Sequence, residues 1–462
     1  MTTFLELSSL ELLSQQLDGD LLTDELSLAI YATDASIYRE RPLAVAIPKT
    51  VEDIRKLVHF ANHHPTSLIP RTAGTSLAGQ CVGSGIIVDV SRHFNNIIAI
   101  NVEERWARVQ PGIVRDQLNA VLKPLGLFFS PITSTANRAM IGGMVGNNSC
   151  GTTSIVYGTT RDKVLELQTI LSDGSEVTFG ALDNAAFAQK CTLDTLEGDL
   201  YRHIRDALSP QQVRERIRTH FPKPSIHRRN TGYAVDALLD AVPFTEEGQD
   251  FNFCQLLCGS EGTLAFTTEI KIALDPLQLP FAVVVAPHFE DIISSMHATQ
   301  VAMQHHPDAC ELMDKTILDC TKGNLAYRNH RFFIEGDPAA VLMIEFRGNT
   351  EAEARSKAEA LTADLQAQQL GYAYPIVGHA QNAAVWALRS AGLGLLANIP
   401  GDAKAVACIE DTAVALADLP AYIEEFAHNG WLPATTRLLC TCWRGRNSPA
   451  PHPQSQAARR RG

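Results

Sequence analysis

The stretch PRTAGTSLAGQ, residues 70–80, decides the fold. It follows residues 68–70, a short apolar run that predicts a β-strand. Glycine and other small residues let the backbone come close to a ligand, and successive backbone N–H groups can then bind an anion. Thr75 and Ser76 add hydroxyl donors. The stretch predicts an anion-binding loop after a strand, with a tight turn that binds nothing as the alternative.

A second glycine-rich stretch, GGMVGNNSCG at residues 142–151, leads from a loop into a helix. The start of a helix directs backbone donors toward negative charge. Neither stretch is a P-loop, because no Gly-Lys-Ser/Thr follows, and neither fits G-x-G-x-x-G after a strand. Two such loops in one α/β unit favour binding of a pyrophosphate over two unrelated turns.

Strands and helices alternate around these loops from residue 43 to about residue 273. Apolar periodicity predicts a helix over Val51–His63, and a hairpin turns at Asp173 and Gly174. A second unit begins near Pro280, where a βαβ-βαβ order predicts an antiparallel sheet with helices on one face. It includes a helix over residues 351–369, capped by Asn349 or Thr350, and a strand over residues 372–377.

Composition limits the class of protein. The 462 residues suggest two to four domains, and a net charge of −12 argues against nucleic acid as a partner. Ten scattered cysteines lack the spacing of a disulfide framework, zinc site or iron–sulfur site, so we expect packing thiols, a cytoplasmic location and no metal. No apolar run is long enough to span a membrane, while peripheral membrane association stays open.

Four ordered motifs resemble one family. Residues 70–80 resemble the pyrophosphate loop of the vanillyl-alcohol-oxidase/PCMH flavoproteins, and GGMVGNNSCGTTSIVYGTTRDKV, from residue 142, resembles their second FAD segment. CGSEGTLAFTTEIKI, residues 258–272, resembles the strand that closes their FAD domain. HRRNTGYAVDALL, residues 227–239, is similar to a segment of the D-lactate and D-2-hydroxyglutarate dehydrogenase branch. The resemblance covers about residues 30–436 and implies FAD as the cofactor.

The resemblance also implies roles for individual residues. The backbone N–H groups of the first loop would wrap the pyrophosphate. A second set of residues would line the other side of the pyrophosphate or position the loop that follows. Glu261 and Ile270 would lie near the adenosine or ribityl portion, and Asn230 and Tyr233 near the flavin ring, with a helix start and core packing as their alternative. The first set is Arg71, Thr72, Ala73, Gly74, Thr75 and Ser76; the second is Pro131, Gly142, Gly143, Asn147, Gly151, Gly158 and Asp162.

A substrate site is expected in VWALRSAGLGLLANIPGDAKAVACIEDTAV, residues 385–414, which looks like the substrate side of the same branch. Arg389 follows Trp386 by three residues, so both lie on one helix face. A guanidinium can bind a carboxylate through two parallel hydrogen bonds, and Lys404 could add a second positive charge. Glu410 and Asp411 could line the same cleft or simply face solvent.

The sequence therefore predicts an α+β protein: a PCMH-type FAD-binding domain of two subdomains, then an α/β, ferredoxin-like cap domain. We expect a helical lead-in over 1–36, the FAD-binding domain over 37–276, an incomplete cap over 277–436 and an out-of-frame tail over 437–462. The expected reaction oxidises D-lactate, D-2-hydroxyglutarate or glycolate to the 2-oxo acid, with an unknown electron acceptor. The alternatives are an FAD-binding pseudoenzyme fragment and another flavoenzyme of the same fold.

The tail departs from the family. From Arg444 onward there are five arginines and no acid, so residues 1–443 carry −17. The branch commonly supplies histidines from an H-x-G-x-G-x-x-H segment, which is absent here. One codon choice for Leu439–Ala450, read from its second nucleotide, encodes YAHAGAGEIHL and restores that segment. We therefore expect a frameshift, and the alternative is a disordered basic tail. A frameshift would remove the histidines and any downstream iron–sulfur module, so we expect turnover to be weak or absent. A gene sequence with incompatible codons would contradict this reading.

Overall fold

A computed structural model describes residues 7–229, 232–396, 402 and 412–428. Its α-helices are α1 (Leu7–Gln16), α2 (Glu25–Tyr31), α3 (Val51–His63), α4 (Arg115–Leu122), α5 (Ile141–Asn147), α6 (Ser154–Tyr157), α7 (Asn184–Lys190), α8 (Leu196–Leu208), α9 (Gln211–His220), α10 (Cys254–Leu257), α11 (Ile292–Gln304), α12 (Lys315–Lys322), α13 (Glu351–Ala367), α14 (His379–Leu396) and α15 (Leu419–His428).

Its strands are β1 (Asp20–Leu22), β2 (Ala44–Ile47), β3 (Leu68–Arg71), β4 (Ile86–Asp89), β5 (Ile97–Asn101), β6 (Trp106–Val109), β7 (Leu127–Phe128), β8 (Val164–Ile170), β9 (Glu176–Phe179), β10 (Phe266–Ala273), β11 (Asp275–Pro276), β12 (Phe281–Val285), β13 (His288–Phe289), β14 (Ala309–Asp314), β15 (Ala340–Gly348) and β16 (Ile376–Val377). The chain forms two compact units. Unit 1 comprises residues 1–150, 159–221 and 230–277, and unit 2 comprises residues 151–158, 222–229 and 278–462.

The first sheet of unit 1 has the strand order β1-β2-β4-β3, with β2, β3 and β4 parallel. Helix α3 covers it and is capped by Thr50, whose side chain accepts a hydrogen bond from the backbone of Asp53 in a capping box. Ile54 and Leu57 on α3 are fully buried in the core under this sheet. The helix has the predicted bounds, Val51–His63, because its cap and its apolar face agree.

The second sheet of unit 1 is antiparallel, with the order β5-β6-β10-β8-β9. Strand β10 lies in the middle, and its residues alternate between buried and half-buried positions. The hairpin of β8 and β9 turns as predicted, with Gly174 at a positive φ of 86°. An aromatic cluster with edge-on contacts, including Phe187 against Phe251 at 4.8 Å between ring centroids, packs in the core of the same unit.

The N-terminal segment, expected as a helical lead-in over residues 1–36, also contributes a strand. β1 pairs antiparallel with β2, with Asp20 opposite Ile47. Leu10 and Leu13 of α1 are buried in the core that α3 also fills. This segment is therefore part of the packed core of unit 1.

Unit 2 contains an antiparallel sheet in which β15 pairs with β12, β13 and β14, and β12 also pairs with β16. The predicted antiparallel pairing is confirmed. The prediction of helices on one face is wrong: α11, α13 and α15 pack on one face, whereas α12 and α14 pack on the other. Alternation in β15 explains this, since Leu342 and Ile344 belong to one core while Val341 and Met343 belong to the other.

One buried histidine in unit 2 gives the protein a predictable response to acid. His288 is fully buried, with Nδ1 2.6 Å from the Ala286 carbonyl oxygen and Nε2 accepting from the Glu335 N–H at 3.0 Å. Burial lowers the pKa of His288 below 6.5. The unfolded chain therefore binds the proton more readily, so stability is complete above pH 6.5 and falls as the pH drops toward the lowered pKa.

We expect unfolding free energy to fall by at most about 1.4 kcal/mol per pH unit from this group. His288→Gln keeps one donor and one acceptor but does not titrate, so its stability should depend less steeply on pH between 7 and 5. Urea unfolding of both proteins across this range measures the effect. His379→Gln, at an exposed position of the same unit, is the control. Equal slopes for wild type and His288→Gln would contradict the prediction.

Among the helices of the described residues, none is both long and apolar enough to cross a bilayer.

Candidate functional site

The loop after β3 consists of half-buried residues and carries a row of backbone donors. The N–H groups of Thr72 through Ser76 donate to no acceptor within the described residues. Gly74 has φ of +64°, which other residues rarely adopt. Five successive donors without acceptors are what the predicted pyrophosphate loop requires.

The Arg71 side chain supports this loop from within. Its guanidinium lies 5.1 Å from the ring centroid of Tyr31 and donates to the carbonyl oxygens of Tyr31 and Cys81, each at 3.4 Å. A Cβ added to Gly74 would lie 2.6 Å from Arg71 Nη2. The side chain of Arg71 therefore fixes the path of the loop, while the loop backbone supplies the donors.

The second glycine-rich segment lies directly against this loop. A Cβ at Gly143 would lie 2.6 Å from Thr72 Oγ1, closer than real Cβ atoms approach. Gly142 donates its N–H to the Pro111 carbonyl oxygen at 2.8 Å. Glycine at these two positions lets α5 lie close to Pro111 on one side and to Thr72 on the other.

A third segment, residues 258–262, joins the other two. Gly259 and Glu261 donate their N–H groups to the carbonyl oxygens of Val145 and Gly146, both at 2.9 Å. The Gln80 side chain bridges the segments, with Nε2 2.8 Å from Asn147 Oδ1 and 3.0 Å from Glu261 Oε1. Unit 1 thus brings together three segments separated by some 70 to 180 residues, as the resemblance implied.

Other predicted residues have structural roles around this site. Pro131 is buried and its carbonyl accepts from Arg115 Nε at 3.0 Å. The Asp162 carboxylate accepts from the N–H and Oγ1 of Thr159, at 2.6 and 2.9 Å. Ile270 lies in the middle of β10, paired on both sides, with its side chain in the core. Contacts of these residues with a cofactor stay predictions.

Gly151 and Gly158 lie in a segment that clusters with unit 2 rather than with the other predicted cofactor residues. Gly158 ends α6 with φ of +77° and donates to the Ser154 carbonyl oxygen at 3.0 Å. The resemblance placed both glycines on the FAD-binding domain, and the contact pattern assigns their segment to the other unit.

Sequence reasoning missed two residues that hold the second segment in place. Asn148 is fully buried with φ of +51°, and its Oδ1 accepts from the N–H of Arg161 at 2.9 Å. Arg161 Nη2 in turn donates to the Cys258 carbonyl oxygen at 2.6 Å. The signal in the sequence was the pair Asn147-Asn148 after glycine, because asparagine tolerates the left-handed conformation that ends α5.

The predicted substrate residues of unit 2 are only partly described. Arg389 and Trp386 both lie on α14, the helix on which their spacing was expected to place them on one face, and both contact carboxylates of the sheet. Arg389 Nε and Nη2 lie 2.8 and 2.7 Å from Glu311 Oε2, and Trp386 Nε1 lies 2.6 Å from Glu345 Oε2. Lys404, Glu410, Asp411, Asn230 and residues 437–462 lie outside the described residues.

The Glu311 carboxylate has an unusual environment. Its side chain is fully buried, and burial raises the pKa of Glu311, while the charges of Arg389 and Arg228 act in the opposite direction.

Tyr233, in unit 1, is half exposed with its hydroxyl 2.7 Å from Thr263 Oγ1.

The cysteines of the CxxxC pair are packing thiols, as predicted. Cys254 and Cys258 are fully buried, and burial raises the pKa of Cys258 to about 12. Such thiols are poor ligands and nucleophiles, because the thiolate is the reactive form. Within the described residues no group of three or more His, Cys, Asp or Glu side chains is arranged to hold a metal ion.

Comparison with known proteins identifies the family. Residues 42–180 match the profile of the FAD binding domain, and residues 275–429 match that of the C-terminal domain of FAD linked oxidases. The chain belongs to the FAD-linked oxidase family. FAD is the cofactor that both domains indicate, so the predicted family, fold class and cofactor are confirmed.

Curated relatives of this FAD-linked oxidase include D-2-hydroxyglutarate dehydrogenases. That of Pseudomonas putida is 36% identical over 419 residues, 88% of this chain and 40% of the relative. That of Escherichia coli is 33% identical over 430 residues, 90% of this chain and 41% of the relative. Glycolate oxidase subunit GlcD of Bacillus subtilis is 33% identical over 153 residues, 33% of each chain. The chain spans about two fifths of the length of the first two relatives.

Among solved structures, two crystal forms of alkyldihydroxyacetonephosphate synthase have the same fold. The TM-scores are 0.58 and 0.60 at 15% identity, and the match covers 92% of this chain and 73% or 72% of the other. At this identity the likeness concerns the fold alone.

The three converging segments of unit 1 fit the pyrophosphate of FAD. Backbone donors that lack acceptors would bind its oxygens, and the absence of a side chain at Gly143 keeps Thr72 and its loop close to α5. The exposed Glu261 carboxylate would repel a phosphate, which is compatible with the prediction that it lies near the adenosine or ribityl portion.

Proposed function

We propose that this chain oxidises a D-2-hydroxy acid to the 2-oxo acid. The observation that carries the proposal is the 32–36% identity, over about 90% of the chain, to proteins named D-2-hydroxyglutarate dehydrogenase. FAD, when bound, would accept the hydride that leaves C2 of the substrate, while a base takes the proton of the C2 hydroxyl group. D-lactate, D-2-hydroxyglutarate and glycolate are the candidate substrates.

The roles of the chain's own residues follow from charge. In the proposal, the N–H groups of Thr72 through Ser76 neutralise the pyrophosphate and Asn147 orients the second segment. Arg389 binds the substrate carboxylate, since a guanidinium matches a carboxylate with two parallel donors. Lys404 supplies a second positive charge. Holding the acid in one orientation is the protein's contribution to rate.

Location and partners are also proposals. Buried thiols such as Cys81, Cys254 and Cys310 support a reducing compartment, and we propose the cytoplasm. The small-molecule partner is the hydroxy acid. The electron acceptor would be a separate molecule that reoxidises the flavin.

An anaerobic absorbance titration tests the function. The purified protein should show flavin bands, and one D-2-hydroxy acid should shift or bleach them while the L-enantiomer has at least about tenfold less effect, a difference of ~1.4 kcal/mol. Bleaching indicates turnover and a shift indicates binding alone. A flavin spectrum that no hydroxy acid changes would contradict the proposal.

A further inference from the structure

Gln80 contacts all three of the segments that converge in unit 1. The Ser76 hydroxyl donates to Gln80 Oε1 at 2.9 Å. Gln80 Nε2 donates to Asn147 Oδ1 at 2.8 Å and to Glu261 Oε1 at 3.0 Å. Ser76 belongs to the loop after β3, Asn147 to the end of α5, and Glu261 to the segment of residues 258–262. One half-buried amide group therefore links the loop to both of its neighbours.

The partners determine the orientation of this amide. An ionised carboxylate only accepts hydrogen bonds, so the –NH2 group of Gln80 must point to Glu261, which leaves Oε1 for the Ser76 hydroxyl. Asn147 is oriented as well, because its Nδ2 donates to Ser149 Oγ at 3.0 Å and its Oδ1 remains for Gln80. Glutamate has the same shape as glutamine but would present an acceptor to two acceptors. The network therefore requires an amide at this position.

Glu261 has a backbone conformation that glycine would adopt more readily. Its φ is +58°, which is uncommon for a residue with a side chain. Its N–H donates to the Gly146 carbonyl oxygen, and glycine could make the same bond. The Glu261 side chain is exposed and accepts from Gln80, so core packing does not account for a glutamate here. Strained residues of this kind cluster at functional sites.

Charge gives a reason for the contact between Gln80 and Glu261. A carboxylate beside a loop that binds a pyrophosphate is unfavourable, because like charges repel each other. A donor that faces the carboxylate reduces this repulsion and restricts the position of the carboxylate. The amide of Gln80 supplies that donor, while its oxygen accepts from Ser76 in the loop itself.

We propose that Gln80 is a positioning residue for FAD. Its amide holds the loop of residues 72–76 against α5 and fixes the Glu261 carboxylate, so that the backbone donors of the loop can bind the pyrophosphate. Gln80 acts through the loop and through Glu261 and does not itself contact the cofactor. The inference depends on FAD as the cofactor and does not depend on the hydroxy acid proposed above.

Fluorescence titration of the flavin-free full chain with FAD tests the inference. Gln80→Met keeps the length of the side chain and removes its three hydrogen bonds, so the Kd for FAD should rise about tenfold. Gln80→Glu also places a second carboxylate against Glu261, so the Kd should rise about a hundredfold. Urea unfolding of the apoprotein should have the same midpoint in wild type and Gln80→Met, because the side chain is only half-buried.

An exchange of the two groups tests the contact directly. When Gln80→Glu is combined with Glu261→Gln, the donor and the acceptor change places and the net charge of the protein equals that of wild type. The Kd for FAD should then return to within about tenfold of the wild-type value. Glu261→Gln alone completes the double-mutant cycle and should raise the Kd less than Gln80→Glu does.

Helix α9 provides a matched control. Gln211 Nε2 donates to Glu215 Oε1 at 2.7 Å, and both residues are exposed in the same unit. Gln211→Glu creates the same contact between two carboxylates on a helix that contributes to none of the three segments. The Kd for FAD should equal that of wild type, which separates the effect at Gln80 from a general effect of added charge.

Three results would overturn the inference. Equal Kd values for FAD in wild type, Gln80→Met and Gln80→Glu would exclude a positioning role. An exchange variant that binds FAD no better than Gln80→Glu would show that the contact with Glu261 does not matter. A Gln80→Met apoprotein that does not fold, or that unfolds at a lower urea concentration than wild type, would assign the amide a structural role instead.

Discussion

Gly143→Val should lose FAD while the protein stays folded. Gly143 is exposed on α5, yet a Cβ there would lie 2.6 Å from Thr72 Oγ1. A branched side chain would push Thr72 and the backbone donors that follow it away from α5. Overpacking of this kind costs about 1–3 kcal/mol, so we expect the Kd for FAD to rise about ten- to hundredfold. Flavin absorbance during dialysis and fluorescence titration of the apoprotein measure the loss.

The second atom in the contact provides the control. With Oγ1 removed, the nearest Thr72 atom is Cβ, 4.0 Å from the added methyl group, which is an ordinary contact. Gly143→Ala combined with Thr72→Ala should therefore bind FAD better than Gly143→Ala alone. Gly323→Ala, where an added Cβ has no neighbour within 4 Å, should bind FAD like wild type. Full flavin content in Gly143→Val would mean that this approach does not matter for the cofactor.

Arg389→Ala should destabilise unit 2, and by more at high pH. Removing Arg389 leaves the Glu311 carboxylate buried without its hydrogen-bonding partner, which costs about 3–5 kcal/mol when the group is charged. Burial already raises the pKa of Glu311 in the wild type, and loss of Arg389 raises it further. A raised pKa means that the folded state holds the proton more tightly, so stability is fully present below the ordinary pKa of 4.5 and is lost as the pH rises through the raised value.

Urea unfolding at pH 5 and pH 8 measures this difference. The free energy of unfolding of Arg389→Ala, relative to wild type, should be lower at pH 8 than at pH 5. Arg355→Ala is the matched control: it removes an exposed pair with Glu351 at 3.9 Å, and such surface pairs contribute about 0–1 kcal/mol at either pH. An Arg389→Ala protein with the same unfolding midpoint as wild type at pH 8 would show that the buried pair adds no stability.

The sequence predicted the start of a helix correctly where the N-cap residue and the apolar periodicity indicate the same position. The bounds of α3 follow from Thr50 and the apolar face after it, and α13 starts after Thr350, whose side chain accepts from the backbone of Glu353 at 3.2 Å. The predicted strand over residues 372–377 is confined to Ile376–Val377. Phe289 lies in β13, and α11 begins three residues later, after Asp291, whose side chain caps it.

Long-range contacts could not be predicted in this way. The motifs identified the three segments of the cofactor site, but the bridge from Gln80 to Glu261 joins residues 181 positions apart. Nothing near Glu311 in the sequence marks it as the partner of Arg389, 78 positions later. The pairing forms because α14 packs against the face of β14 that carries Glu311. The prediction placed helices on only one face of the sheet, so it gave the second face no helix to contact.

The interleaving of the two units along the chain limits how their sequences can be recombined. Residues 151–158 and 222–229 lie inside the sequence of unit 1 yet pack in unit 2, where Ile155 contributes to the core and Ile226 is buried. In a chimaera joined at residue 277, residues 278–462 of unit 2 would come from one parent. Residues 151–158 and 222–229 of the same unit would come from the other parent. Exchange of unit 2 between such proteins therefore requires a graft of three separate stretches, because a crossover at a single point would mismatch side chains in the core.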